Sequence, residues 1–148
     1  MDFLPSLSEF SEKLKKNKNQ IVYTKFSADL DTPVSLMMKL AKEEKNSFLL
    51  ESVTGGEIKG RYSVIGMKPD LIWKCNLEES QINRKVLEKS NNFIKQSNPP
   101  VLELKSLIKE SYLQIPDNLP AMSAGLFGYL SYEMINFVKK ISEIKKND

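Results

Sequence analysis

Apolar side chains recur along the chain at two spacings, and the switches between them mark the predicted elements. Leu7, Phe10 and Leu14 follow a helical period. Ser6-Leu7-Ser8-Glu9 ahead of them has the spacing of a capping box, in which the Ser6 hydroxyl and the Glu9 carboxylate satisfy the first free N–H groups. The helix should end in Lys15-Lys16-Asn17-Lys18-Asn19, where cations suit the negative end of the dipole. Ile21 to Phe26 (IVYTKF) is β-branched and aromatic and predicts a strand. Asp31-Thr32-Pro33 opens a second helix: Thr32 can cap it, and Pro33 fits the first turn because its missing N–H has no partner there anyway. Val34, Met37, Met38, Leu40 and Ala41 supply its apolar face.

The pattern then shortens to period two. Phe48 to Val53 (FLLESV) predicts a strand, Thr54-Gly55-Gly56-Glu57 a turn, and Arg61 to Ile65 (RYSVI) a second strand ended by Gly66. Asp70 to Lys74 (DLIWK) predicts a third, and the three together an antiparallel meander. Residues 76–98 are polar and weakly patterned and are expected to form an edge strand or loop with one helical turn. Pro99-Pro100 precedes an amphipathic helix over 101–113, with Leu104, Leu107, Ile108 and Tyr112 on its apolar face. Ile115 to Met122 reads as a connector, Gly125 to Tyr132 (GLFGYLSY) as a strand, and Glu133 to Ile144 as a helix. Leu126, Phe127 and Leu130 fall on both faces of that last strand. No preceding element obviously covers both, a pattern that suits a piece of a larger domain. The fold class expected is α+β, with mostly antiparallel strands and flanking helices.

Composition narrows the chemistry. A 41% hydrophobic and 28% charged chain of 148 residues can build a core, and its net charge of +3 is spread among acids. That favours a solvated surface over a nucleic-acid interface. No run approaches the roughly 18 apolar residues of a membrane span, and Met1-Asp2-Phe3-Leu4-Pro5 does not open a signal peptide. A cytoplasmic chain is expected. Cys75 is the sole cysteine and there is no histidine, which excludes an intrachain disulfide, imidazole–zinc sites and His-activated nucleophiles. Glu43-Glu44 and Glu78-Glu79 are adjacent pairs whose side chains diverge. Gly55-Gly56 lacks the Lys-Ser/Thr and helix start of a phosphate loop.

The informative window is Phe48 to Gly66, FLLESVTGGEIKGRYSVIG. Alternate side chains of a strand share a face, so Phe48, Leu50 and Ser52 lie on one side and Leu49, Glu51 and Val53 on the other. A hydroxyl or carboxylate buried on such a face without a partner costs on the order of 1–3 kcal/mol or more. Two readings remain open at this point. Ser52 could bond a backbone carbonyl while Glu51 reaches solvent at the strand end. Alternatively, the pair could line a polar spot in an apolar pocket suited to an aromatic amino acid.

At this window the sequence resembles the anthranilate synthase large-subunit family. Leu49-Leu50-Glu51-Ser52, ten residues, then Ser63 resembles that family's LLES-(ten residues)-S element. Ala28 to Ser35 resembles its "ADLETPVS", Glu51 to Gly66 its "ESVEGGERWGRYSFIG", Pro69 to Trp73 its "PDLVW", and Gly125 to Glu133 its "GLVGYLGYD". The blocks run in order from about residue 28 to about residue 133. Ile58-Lys59 departs from the family's Arg-Trp pair, and Ser131 stands where a glycine is common.

The resemblance implies a larger two-layer sheet assembly, of which residues 1–148 would be the N-terminal, effector-site region ahead of a C-terminal chorismate-binding domain. It implies that Leu50, Glu51, Ser52 and Ser63 belong to an allosteric L-tryptophan site. It further implies an enzyme that makes anthranilate and pyruvate from chorismate in tryptophan biosynthesis. That enzyme uses Mg²⁺ and ammonia from a glutamine amidotransferase subunit, component II, and is feedback-inhibited by tryptophan. The family's catalytic and metal residues include a histidine and lie in the C-terminal part. No catalytic or metal residue is therefore carried over, and the 148-residue chain alone is expected to be inactive. Two alternatives stand beside this reading: the matching segment of aminodeoxychorismate synthase, or a stand-alone amino-acid-binding module.

Overall fold

The computed structural model describes residues 2–52, 62–76 and 78–134. Helix α1 spans Leu7–Lys15, and its capping box forms as expected: the Ser6 N–H donates to Glu9 Oε2 at 2.9 Å, and the Ser6 hydroxyl accepts from the Glu9 N–H. Lys13 and Lys15 occupy the last turn. Asn17, at φ 49°, takes the left-handed conformation that lets the chain leave the helix.

The expected strand at 21–26 reduces to one antiparallel bridge, with Tyr23 and Leu4 exchanging two backbone hydrogen bonds of 2.8 Å. A longer ladder has no material: Pro5 lacks an N–H, and helix α1 begins two residues later. The segment is tied instead by side chains. Lys25 Nζ donates to the Asn118 carbonyl at 2.6 Å, and the Tyr23 hydroxyl bonds the Asn118 amide.

Helix α2 (Pro33–Ala41) starts as expected. Thr32 Oγ1 accepts from the Ser35 N–H, and Ser35 Oγ accepts from the Thr32 N–H. Of its expected apolar face, Ala41 is buried and Met37 half-buried, while Val34, Met38 and Leu40 are exposed. The helix packs on a two-stranded antiparallel sheet of β1 (Phe48–Glu51) and β2 (Ser63–Gly66). The expected turn at 54–57 lies outside the described residues.

The third predicted strand does not extend that sheet into a meander. Lys68 sits at φ 50° and Pro69 has no donor, so the chain turns out of the first sheet. Strand β3 (Ile72–Cys75) opens a second one, ordered β3-β4-β5, with β4 at Ser80–Asn83 and β5 at Ile94–Lys95. Residues 76–98 thus hold the expected edge strand, β5, and loop, and in addition the central strand β4, which the weak patterning did not predict. Asn76 Oδ1 accepts from the Glu78 and Glu79 N–H groups and closes the β3–β4 turn. Asn83, fully buried at 0% exposure, donates to the Lys89 and Ser90 carbonyls and accepts from the Lys85 N–H, folding the following loop back on β4.

Helix α3 (Pro100–Glu110) buries Pro100 and Leu107, but Ile108 and Tyr112 of its expected face stay exposed. A bidentate Arg84–Glu110 pair, with both contacts at 2.6 Å, fastens the end of β4 to this helix. The expected strand at 125–132 is irregular, because among the described residues no neighbour supplies a ladder for it. It runs into a 3₁₀ turn, Tyr132–Met134. Of the helix expected from Glu133 to Ile144, Glu133 and Met134 fall in this 3₁₀ turn and the rest lies outside the described residues. The buried apolar core among the described residues is Ala41, Ile82, Val86 and Leu107. Leu126, Phe127 and Leu130 are exposed, as their placement on both faces of the sequence pattern anticipated.

Among the described residues four carboxylates sit below their ordinary pKa. Glu9 is held down by the Ser6 backbone N–H, Asp31 by Lys39, Glu79 by Lys95 and Glu110 by Arg84. A group with a lowered folded pKa gives stability that is full above its unfolded value and is lost as pH falls through the folded value. Stability should therefore fall on the acid side once pH drops below the ordinary carboxylate range near ~4. It should stay level from about pH 6 to 8, since no histidine titrates there. Urea midpoints measured across pH check this, and a steep step near neutrality would contradict it.

Candidate functional site

The β1–β2 pairing decides how the four sequence-derived residues meet. Its register sets Phe48 opposite Gly66, Leu49 opposite Ile65, Leu50 opposite Val64, and Glu51 opposite Ser63. The ladder continues one step further, where the Ser52 N–H donates to the Tyr62 carbonyl at 3.4 Å. Leu50, Glu51, Ser52 and Ser63 therefore cluster at one end of the strand pair.

They do not share a face. Residues directly opposite in an antiparallel pair lie on the same side of the sheet. Glu51 and Ser63 accordingly share one face, with Leu49 and Ile65. Leu50 and Ser52 share the other, with Phe48 and Val64. A small molecule that touches all four must lie across the end of the pair rather than flat on one surface.

The four residues are all exposed, Leu50 at 47%. Glu51 and the two serine hydroxyls thus keep their hydration, and no burial cost arises in this conformation. A carboxylate, two hydroxyls and an adjoining leucine offer acceptors for an ammonium, donors for a carboxylate and a surface for an aromatic ring.

Sequence reasoning missed the packing that supports this cluster. Gly66 has no side chain facing Phe48, and the Phe48 ring fills the gap: a Cβ on Gly66 would stand 2.2 Å from Phe48 Cε1. The Phe127 ring covers Phe48 with centroids 5.1 Å apart and planes tilted by 30°. An aromatic residue facing a strand glycine is a known way to cover exposed backbone, and the spacing of Phe48 and Gly66 around the turn could have suggested it. Phe127, 79 positions away from Phe48, carries no local signal.

Among the described residues no three Cys, Asp or Glu side chains converge as metal ligands. No helix among them is long and apolar enough to cross a membrane. An open surface groove of about 410 Å³, lined by residues 112–117, 119 and 121, includes none of the four.

Comparison with known proteins covers nearly the whole chain. The chain is 50% identical over 141 residues to anthranilate synthase component 1 of Cereibacter sphaeroides, an alignment covering 95% of the chain and 28% of that relative. The chain belongs to the N-terminal region of the anthranilate synthase component 1 family. The component 1 of Synechocystis is 36% identical over 138 residues, 91% of the chain and 26% of the relative. That of Acetivibrio thermocellus is 32% identical over 148 residues, 99% of the chain and 28% of the relative. The chain thus spans little more than a quarter of the length of these curated relatives. No family model matches it, and no solved structure matches it.

Proposed function

We propose that this chain forms the effector-binding N-terminal part of an anthranilate synthase large subunit. The complete subunit would convert chorismate to anthranilate and pyruvate with ammonia delivered by an amidotransferase partner and with Mg²⁺. L-tryptophan would act as feedback inhibitor. The observation that carries the reading is the β1–β2 register. It brings Ser63, distant in sequence, directly opposite Glu51 and beside Leu50 and Ser52, in a chain half identical to a component 1 over nearly its whole length.

The chemistry of the cluster matches the amphipathic effector. The Glu51 carboxylate can accept from the tryptophan ammonium. The Ser52 and Ser63 hydroxyls can donate to its carboxylate, and Leu50 offers an apolar surface to the indole. Inhibition would follow from the effector favouring an arrangement that turns chorismate over poorly, a coupling free energy between two sites. Only the effector side of that pair lies in the residues described. Further residues would complete this open, two-faced cluster, so the 148-residue chain should bind tryptophan weakly and, without the C-terminal residues that the family resemblance implies for catalysis, show no turnover.

A chimera tests this reading. Residues 1–148 replace the matching stretch of the Cereibacter sphaeroides component 1, and anthranilate fluorescence is followed with chorismate, ammonia and Mg²⁺. The expected result is turnover by the chimera, inhibited by tryptophan, and none by the isolated chain. Tight tryptophan binding by the isolated chain in calorimetry, or a chimera active but indifferent to tryptophan, would contradict it.

A further inference from the structure

The segment Gly125–Met134 touches both sheets. Near its start, Phe127 stacks on Phe48 of β1 at 5.1 Å. At its end, Met134 Sδ lies 4.0 Å from Cys75 Sγ of β3. Between these two anchors the backbone carries no strand ladder, and Tyr129 projects into solvent at 92% exposure. The two sheets share no strand. The segment is therefore a side-chain link between them, fixed at two points seven residues apart.

Its first anchor sits beside the candidate effector cluster. The Phe48 ring fills the space left by the missing side chain of Gly66 and meets the Phe127 ring. Leu50 follows Phe48 on the same face, about 7 Å along the strand. Any movement of β1 that accompanies occupation of the cluster must carry the Phe48 ring with it. The ring already fills the space over Gly66 and stacks on Phe127, so a shift of it disturbs both contacts.

We infer that the Phe48–Phe127 stack couples the effector cluster to the second sheet, with Phe127 as a positioning residue that touches no effector. The inference rests on the effector-site reading given above. Loss of the Phe127 ring would leave the hydrogen-bonding groups of Leu50–Ser52 and Ser63 in place. It would remove the contact through which their occupation is felt by the Gly125–Met134 segment.

The test uses the chimeric synthase with its amidotransferase partner and reads kcat and KM for chorismate alongside the half-inhibiting tryptophan concentration. Phe127→Ala should raise that concentration by about fivefold or more, a modest coupling energy, with kcat and KM unchanged. Phe127→Tyr, which keeps the ring, should restore inhibition. Tyr129→Ala, on the same segment but clear of both anchors, should change nothing. Glu51→Gln serves as the separate check on the effector site. Relief of inhibition by Glu51→Gln but not by Phe127→Ala overturns the coupling and leaves the site standing. If neither substitution moves inhibition, both fall. A loss of kcat in Phe127→Ala, or equal relief by Tyr129→Ala, also overturns the coupling, because the effect would then be a general structural one.

Discussion

Asn83→Ala should lower the unfolding free energy by about 1.5–4.5 kcal/mol, the sum expected for three hydrogen bonds of a buried amide at roughly 0.5–1.5 kcal/mol each. The Asn83 side chain is wholly buried on the central strand β4. Its Nδ2 donates to the Lys89 carbonyl at 2.7 Å and the Ser90 carbonyl at 3.1 Å, and its Oδ1 accepts from the Lys85 N–H at 2.9 Å. Alanine supplies none of these and leaves space where an amide had been. Exposure of Lys89 and Ser90 lets water rescue part of the loss, which sets the lower end of the range. Urea denaturation measures the change, and hydrogen exchange locates it: the Lys85 amide should lose its protection. A cost well under ~1 kcal/mol would show that the loop is held by its own turns rather than by Asn83.

Gly66→Ala should also destabilise, by about 1–2 kcal/mol, although simple propensity argues the other way. A glycine within a strand costs roughly 0.5–1 kcal/mol relative to alanine, so the substitution would gain that much if space allowed. Space does not allow it. The new Cβ would stand 2.2 and 2.3 Å from two atoms of the Phe48 ring. The ring must swing away and give up its stacking on Phe127, and overpacking of this kind costs typically ~1–3 kcal/mol. The steric cost therefore outweighs the gain in propensity. The mechanism is checked by a double-mutant cycle, because in a Phe48→Ala background the clash is gone and Gly66→Ala should be neutral or stabilising. Equal cost in both backgrounds would show that the clash with Phe48 is not the cause.

These two positions also show where sequence patterning stops. The capping box of α1 and the Thr32 cap of α2 were legible because Ser6–Glu9 and Thr32–Pro33 act within one turn, with no help from the rest of the chain; the reciprocal bond from the Thr32 N–H to Ser35 Oγ was not anticipated. The antiparallel β1–β2 pair was legible from alternation and the intervening glycines. Strand β4 was not, since hydrophobic periodicity assumes that polar residues face water. Ser80 and Asn83 are polar and fully buried, and Asn83 is satisfied by a loop that lies after it in sequence. The meander failed at Lys68 and Pro69, where a left-handed residue and a missing donor divert the chain, a choice that strand propensity does not encode. Gly125 to Tyr132 has strand composition but forms no ladder, because composition cannot supply a partner.

The candidate site divides in the same way. Leu50, Glu51 and Ser52 are contiguous, and resemblance to the family picked them out together with Ser63. The split of Leu50 and Ser52 from Glu51 follows from strand alternation, but which face Ser63 joins depends on register and emerged only from the pairing with Glu51. The Phe48–Phe127 support depends on tertiary contact and left no trace in the local pattern.

The effector role of the β1–β2 end is tested most directly by calorimetric titration of L-tryptophan into the chimeric synthase and its Glu51→Gln variant. Glu51→Gln should weaken binding by about tenfold or more, the loss expected when a charge-assisted hydrogen bond to the ammonium becomes a neutral one. Unchanged affinity would contradict the assignment of tryptophan to this end of the β1–β2 pair.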